Sequence, residues 1–365
     1  MSVGPTPELI AVLPNHRFDE AILSRYLGGA LPNFSGEMVV RQFQGGQSNP
    51  TFYLEAGGRG YVLRKKPPGK LLPGAHAIER EYRVQQALRS SGVPVPEMLL
   101  LCLDEAVIGQ PFYVMEHVGG RIFTDRLLGS CTPGDRAAMY DSMNAVLATL
   151  HGVDFRAAGL GDFGRTDHYV ARQVSRWGGN YQSSKVDKLP AMDRLIAWLD
   201  ANVPPDEEAT IVHGDYRLGN LVFHPSEPRV IAVLDWELAT IGHPLADLAY
   251  NCLPWRLPTS SERGFADVDF ASQGIPDEAA YLAAYSRRRG RADVPNWPFF
   301  LIFSMFRSAA ILAGVYRRAI DGNASDARAL AVQSIFRDCA ERAWSLAEQQ
   351  ATSCVVATES TTSSA

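Results

Sequence analysis

The segment Ile211-Val212-His213-Gly214-Asp215-Tyr216-Arg217-Leu218-Gly219-Asn220-Leu221-Val222-Phe223 constrains this chain more than any other. Two short apolar runs flank a loop dense in chemically useful groups: His213, Asp215, Arg217 and Asn220. A third apolar run, 230–234, leads directly into an acid in Val233-Leu234-Asp235-Trp236-Glu237. Buried strands hold such a loop rigidly, so an acid, an amide five residues later and a second acid on the next strand can converge. Carboxylate and amide oxygens suit Mg²⁺, which takes a few protein ligands and completes its shell with phosphate oxygens. A carboxylate left off the metal can accept a proton from a hydroxyl nucleophile. Taken alone, Asp215 and Asn220 could equally close an Asx-type turn. His213 reads as a residue that holds loop backbone in place.

Upstream, the alternation of β-branched and aromatic residues predicts strands over 38–43, 51–55, 61–65, 98–103 and 111–117. A helix fits 76–90, and a shorter amphipathic helix precedes the strands at 18–27. The order over the first third is β-β-β-α-β-β, with a tight turn at Gly57-Gly58-Arg59-Gly60. After Gly119-Gly120, read as a glycine hinge, the pattern turns helical. Thr132-Pro133-Gly134-Asp135 announces a helix: an N-cap, Pro at the first position and an acid three residues on. Further helices are expected around 169–177, 192–202, 278–289, 297–319 and 326–349. The organisation predicted is a helical extension (1–35), a small β-rich lobe (36–118), a larger helical lobe (119–350) and a disordered Ser/Thr/Ala-rich tail (351–365), with no further domain after Gln349.

Composition excludes several classes. Over 365 residues, 35 Lys+Arg stand against 40 Asp+Glu, a net charge of −5, which argues against a nucleic-acid partner bound by a broad basic surface. The apolar stretch 299–316 contains Arg307 and reads as a core helix, so no membrane partner is expected. The five cysteines are scattered with no C-x-x-C pair, and no apolar leader stands at the N-terminus, so a reduced, cytoplasmic protein is expected. His151, His168, His224 and His243 lack zinc-ligand spacing. The oligomeric state is not legible.

The succession H-G-D-x-x-x-x-N, then apolar-D-W-E, then G-x-P-x-x-D-L-A (Gly242 to Ala249) resembles the aminoglycoside phosphotransferase family of the wider protein-kinase-like fold. Within it, the chain is similar to the kinase-like N-terminal domains fused to some acyl-CoA dehydrogenases. The resemblance covers most of the chain, from about Arg17 to Glu348. It implies an α+β, bilobal, protein-kinase-like fold, with a small antiparallel-sheet N-lobe carrying one main helix and a larger, mostly helical C-lobe. It implies ATP and Mg²⁺ as cofactors and a small-molecule hydroxyl acceptor as partner. Asp215 would be the catalytic base, with Asn220 and Asp235 holding the metal. Arg217 would stabilise charge on the transferring group, and Asp247 would anchor the catalytic loop. Gly45-Gly46-Gln47-Ser48-Asn49 resembles the nucleotide-covering loop: Gly45 and Gly46 would let backbone approach phosphates, with Ser48 and Asn49 as polar contacts. Arg64 stands in register where the family carries a phosphate-binding lysine, with Lys65 on the opposite side of the strand. Glu81 matches the helix acid that positions this cation. Met115 would line the adenine pocket, and backbone groups of Glu116 and Val118 would pair with the base.

The acceptor is read differently from the family's name. Aminoglycosides are polycations, and a site for them should be acid-rich. Residues 254–326 hold nine arginines against eight acids, together with aromatic residues such as Trp255, Tyr281, Tyr285, Trp297, Phe299, Phe300, Phe303, Phe306 and Tyr316. This balance suits an apolar acceptor with an anionic end, such as a hydroxyacyl-CoA. Two other classes compete with a small-molecule kinase. One is a nucleotide-binding pseudokinase acting as a regulatory module, left open by Arg64. The other is a Mg²⁺-dependent hydrolase, which leaves the glycine loop and the Arg64/Glu81 pair unexplained.

Overall fold

The computed structural model describes residues 8–44, 49–69, 76–184, 188–205, 208–261, 263–321 and 332–362. In chain order the strands are β1 (Leu9–Ile10), β2 (Val39–Phe43), β3 (Thr51–Ala56), β4 (Arg59–Lys65), β5 (Met98–Cys102), β6 (Phe112–Glu116), β7 (Thr210–Val212), β8 (Leu221–Phe223), β9 (Val230–Val233) and β10 (Thr240–Gly242). The helices are α1 (Glu20–Ala30), α2 (Ile78–Leu88), α3 (Pro133–Gly152), α4 (Tyr169–Ser184), α5 (Pro190–Ala201), α6 (Pro244–Asn251), α7 (Phe270–Gln273), α8 (Glu278–Arg288), α9 (Trp297–Ile320) and α10 (Val332–Thr362). Contacts divide the chain into two compact units, one of residues 1–163 and 213–239, the other of 164–212 and 240–365.

The first unit is built on an antiparallel sheet in the order β1-β2-β3-β4-β6-β5. The β3–β4 hairpin closes through Gly57 and Gly58, with Ala56 paired to Arg59. Both glycines have positive φ, +57° and +73°, the conformation a two-residue turn needs to match strand twist. The period-2 alternation of β4 sorts its side chains between two cores. Tyr61 and Leu63 pack with Phe52, Phe112 and Leu23 and Leu27 of α1. Val62 faces the other way, with Ile78 of α2, Tyr113 and Met115. The strand β1 carries no pattern of its own; its two residues add to the sheet edge by pairing with Gln42 and Phe43.

This unit also contains 119–163 and 213–239, which the sequence assigns to the helical lobe. The ties are specific. Arg121 and Phe223 exchange two backbone hydrogen bonds of 2.8 Å. The Tyr216 hydroxyl donates to the Met143 carbonyl (2.9 Å), and Ser142 Oγ accepts from Val230 N (2.9 Å). The helix α3 starts as predicted, with Thr132 Oγ1 accepting from Asp135 N and Pro133 at its first position. Gly120 is not the free hinge the sequence suggests. A Cβ there would stand 2.3 Å from the Phe223 carbonyl oxygen and 2.5 Å from Val222 Cγ1. The residue is small because backbone passes close, so Gly120→Ala should destabilise the chain by about 1–3 kcal/mol, the usual penalty for forced overpacking; thermal melting measures it.

The second unit is mainly helical, with β7 and β10 as an antiparallel pair. Its centre is α9, which by length and composition could cross a membrane, yet 78% of its most apolar window is buried inside the protein. Phe300 stacks on His243 (4.5 Å between ring centroids) and Phe299 on Trp198 of α5 (6.0 Å). The last helix reaches Thr362, so the stretch from Ala351 read as a disordered tail continues α10 instead. The strands flanking the polar loop, β7 and β8, do not pair with each other: β8 pairs with β9 and β7 with β10.

Candidate active site

All the site residues described below belong to the first unit. On β4, the alternation that turns Leu63 toward α1 turns Arg64 toward α2. Its Nε lies 2.9 Å from Glu81 Oε2, an ion pair in which the N–H is not aimed at the oxygen. Its Nη2 donates to Asp235 Oδ1 at 2.8 Å and lies 3.5 Å from Glu237 Oε2. One guanidinium thus serves three carboxylates, from α2 and from the turn after β9. Lys65 points to the other face, as its neighbour's register requires. It is buried, donates to Gln110 Oε1 (3.1 Å), and burial lowers its pKa.

Glu81 is 1% exposed and accepts from Asn49 Nδ2 (2.8 Å) and the Tyr113 hydroxyl (3.1 Å). Burial pushes its carboxyl up to about 7, with the Arg64 charge opposing and Asp235 and Glu237 adding to the rise. Because this folded value stands above the ordinary one of 4.5, the folded chain holds the proton more tightly than the unfolded chain. The stabilisation is complete below about 4.5 and fades as pH climbs toward 7. Glu81→Gln removes the titration, so its Tm should vary less with pH across that interval than the parent's. Equal slopes would mean Glu81 is already ionised there.

Asn49 departs from its expected role as a phosphate contact. It is fully buried; its Nδ2 is given to Glu81 and its Oδ1 accepts from His76 Nδ1 (2.9 Å). Asn49 therefore ties the end of the glycine loop to α2. Gly45, Gly46 and Ser48 lie outside the described residues.

The loop between β7 and β8 is braced by His213. Its Nε2 donates to the Leu234 carbonyl (2.9 Å), a geometry that leaves Nδ1 to accept from Asp215 N (3.2 Å). Asp215 Oδ2 accepts from Asn220 Nδ2 (2.9 Å) and Arg217 Nε (3.1 Å). Asn220 Nδ2 also donates to the Asp215 carbonyl (2.8 Å). The β8–β9 pairing sets Leu221 opposite Val233, and Leu234 N donates to the Asn220 carbonyl. Asn220 and Asp235 therefore stand at the same end of one hairpin. Asp235 adopts a left-handed conformation (φ +66°), which a non-glycine residue holds only where its surroundings demand it.

These residues fit a divalent metal by donor chemistry. The Asn220 nitrogen is spent inside the loop, which leaves the amide oxygen as its coordinating end; Asp235 brings carboxylate oxygens. Among the described residues no group of three His, Cys, Asp or Glu could hold a metal. An ion here would need oxygens from a phosphate ligand, as Mg²⁺ does in nucleotide sites. In the adenine segment, Met115 is buried on β6. The Glu116 N–H is committed to the Glu97 carbonyl (2.9 Å), so it is not the group that would meet a base.

Sequence reasoning missed Glu237 as a partner of Arg64 and Asn49 as a partner of Glu81. It also overread the aromatic residues of 254–326. Trp255, Tyr281, Tyr285, Phe299, Phe300, Phe303 and Phe306 are all buried core. Part of the basic run after α8 is structural as well, since Arg289 and Arg291 both pair with Glu208.

A sheet-and-helix unit whose strand cation meets a helix acid, next to an Asp/Asn loop and a hairpin Asp, is the architecture of a kinase-like phosphotransferase. The chain belongs to the phosphotransferase enzyme family, whose family model matches residues 39–297. It is 48% identical over 335 residues to acyl-CoA dehydrogenase family member 11 of Rattus norvegicus, covering 89% of this chain and 43% of that protein. The chain spans less than half the length of the dehydrogenase-family relatives it matches. A crystal structure from Ralstonia eutropha JMP134, provisionally described as an aminoglycoside phosphotransferase, superposes with a TM-score of 0.84 at 48% identity, over 91% of this chain and 99% of that one. The aminoglycoside phosphotransferase APH(4)-Ia, crystallised with ADP and hygromycin B, shares the fold at a TM-score of 0.59 and 15% identity, over 89% and 98%.

Proposed function

We propose that the chain transfers the γ-phosphoryl group of ATP, with Mg²⁺, to a hydroxyl of a small molecule that is not an aminoglycoside. The observation that carries this reading is the convergence on Arg64: one strand cation bonded to Asp235 and paired with the helix acid Glu81. Arg64 would meet nucleotide phosphates with its planar fork, while Glu81 holds it in direction. Asn220 and Asp235 would hold Mg²⁺, which supplies charge neutralisation at the phosphates. Asp215 would take the acceptor's proton, its Oδ2 kept in place by Asn220 and Arg217. Arg217 would lie along the transferring group. Gly219 leaves it room, since a Cβ there would stand 2.4 Å from Arg217 Nη1. The Glu116 carbonyl and the Val118 N–H would pair with adenine beside Met115. The protein would act in the cytoplasm.

For the acceptor we favour a hydroxyacyl-CoA or a similar metabolite. Two things support it: the arginine-rich balance of 254–326, and the name of the relatives, acyl-CoA dehydrogenase family members. A panel of hydroxyacyl-CoA esters and kanamycin-type acceptors, offered with ATP and Mg²⁺ and followed by mass spectrometry, tests it. The esters should be phosphorylated in preference; faster turnover of the antibiotics would reject this acceptor class. Nucleotide binding without transfer to any acceptor or to water would instead favour a regulatory module.

A further inference from the structure

Behind the Arg64–Glu81 pair stands a second layer of polar side chains, all within the first unit. Asn49, two residues ahead of β3, is fully buried. Its Nδ2 donates to Glu81 Oε1 (2.8 Å) and its Oδ1 accepts from His76 Nδ1 (2.9 Å). Chemistry fixes the direction of both bonds. An ionised carboxylate only accepts, so the amide nitrogen faces Glu81, and the ring nitrogen that meets Oδ1 carries a proton. The other Glu81 oxygen accepts from the Tyr113 hydroxyl (3.1 Å). Neutral donors thus hold both oxygens and set the plane of the carboxylate. Arg64 does not set it, since its Nε–H, though Nε is 2.9 Å from Oε2, is not aimed at that oxygen.

Asn49 reaches Arg64 through its backbone as well. Thr51 Oγ1 donates to the Asn49 carbonyl (3.1 Å) and accepts from Arg64 Nη1 (3.4 Å). Sheet register puts Thr51 opposite Arg64. On the other side, α2 begins at Ala77 with no side-chain cap. His76, just ahead of it, has φ +58°, a left-handed conformation that a non-glycine residue keeps only where its surroundings demand it. The bond from its ring to Asn49 is such a demand. It stands in for the missing cap and places the start of the helix that carries Glu81.

We propose that Asn49 is a positioning residue for phosphoryl transfer: backed by His76, it aims the Glu81 carboxylate, and through Glu81 and Thr51 it sets the attitude of Arg64 toward the nucleotide phosphates. This role rests on the kinase reading above and deepens it. Asn49 touches no phosphate itself, because a fully buried amide bonded at both ends offers no surface to a ligand. A planar fork repays such aiming more than a point charge would, since it meets phosphate oxygens two at a time only when its plane is right. A hydrogen bond given to a charged group is also about twice as strong as one between neutral groups.

The test is a cycle of Asn49→Ala, Glu81→Met and the two together, read by calorimetric titration of the full chain with AMP-PNP and Mg²⁺. Glu81→Met keeps the length of the side chain and removes its oxygens. Asn49→Ala alone should weaken AMP-PNP binding about tenfold, the worth of one hydrogen bond to a charged group. In the Glu81→Met background the same change should cost less than about twofold, because the group through which Asn49 acts is gone. A loss of equal size in both backgrounds would overturn the positioning role and make Asn49 a direct contact of the nucleotide. AMP-PNP bound alike by the parent and Asn49→Ala would overturn it too. His76→Phe, which keeps a ring and removes the donor, gives the same reading where Asn49→Ala does not fold. It should weaken AMP-PNP in the parent and not in Glu81→Met, and any other pattern counts against the role. A parent chain that binds no AMP-PNP would bring down the kinase reading itself, whereas firm binding indifferent to residue 49 would overturn only the role of Asn49.

Discussion

Asp215→Ala is expected to lower phosphoryl-transfer turnover by about 10²–10⁴-fold, the range lost with a positioned general base. MgATP affinity should stay within a few-fold of the parent. The loop survives the change because backbone holds most of it. Asn220 Nδ2 keeps the residue-215 carbonyl it already shares (2.8 Å). His213 keeps its bonds to the Leu234 carbonyl and to the amide of residue 215. What disappears is Oδ2, which accepts from both Asn220 and Arg217. Alanine is a cleaner probe than asparagine, whose NH₂ would set a third donor against those two if it replaced Oδ2. Single-turnover transfer and nucleotide titration together check the prediction. Full activity would remove Asp215 from the role of base, and lost nucleotide binding would show that it holds the nucleotide instead.

The fold was legible where one side-chain period repeats for long enough. The strands β2–β6 and the helix α2 stand within a few residues of their predicted limits, and α3 starts where its cap signal places it, because alternation or helical spacing persists through each. Arg64 and Lys65 could be told apart for the same reason: adjacent strand residues face opposite sides. The loop from His213 to Asn220 was legible as polar groups crowded between two apolar strands. The illegible features depend on partners distant in sequence. Three-residue strands such as β7 and β8 contain no register, so their pairing with β10 and β9 is decided by packing alone. Asn49 looks like any loop amide until α2 brings Glu81 to it. Gly120 looks like a hinge until the Phe223 carbonyl fills the space a methyl would need. The aromatic residues of 254–326 could be counted, but which of them are buried is settled by how α8 and α9 pack.

Arg64→Met carries the largest expected loss of stability. Methionine approximates the length of the side chain but leaves Glu81, 1% exposed, with two neutral donors and no cation. It also leaves Asp235 and Glu237 without the group they share. Breaking a buried ion pair from one side costs about 3–5 kcal/mol. At roughly 2–4 °C per kcal/mol for a chain or unit of this size, Tm should fall by about 10 °C. The loss should be smaller at pH 6 than at pH 8, because burial raises the Glu81 pKa and, without the Arg64 charge that opposes the rise, Glu81 escapes ionisation at the lower pH. Arg64→Met/Glu81→Gln separates stability from function. The second change removes the stranded charge, so it should recover much of the lost Tm. It returns no cation to the nucleotide phosphates, so phosphoryl transfer should stay as low as in Arg64→Met alone. Arg64→Lys completes the series: its single ammonium can approach Glu81 or Asp235 but cannot offer a planar fork to both. It should fold better than the methionine variant and bind nucleotide less tightly than the parent. A double variant no more stable than Arg64→Met would show that Glu81 is not the group stranded by the loss of Arg64, and the account of this cluster would then have to start from Asp235.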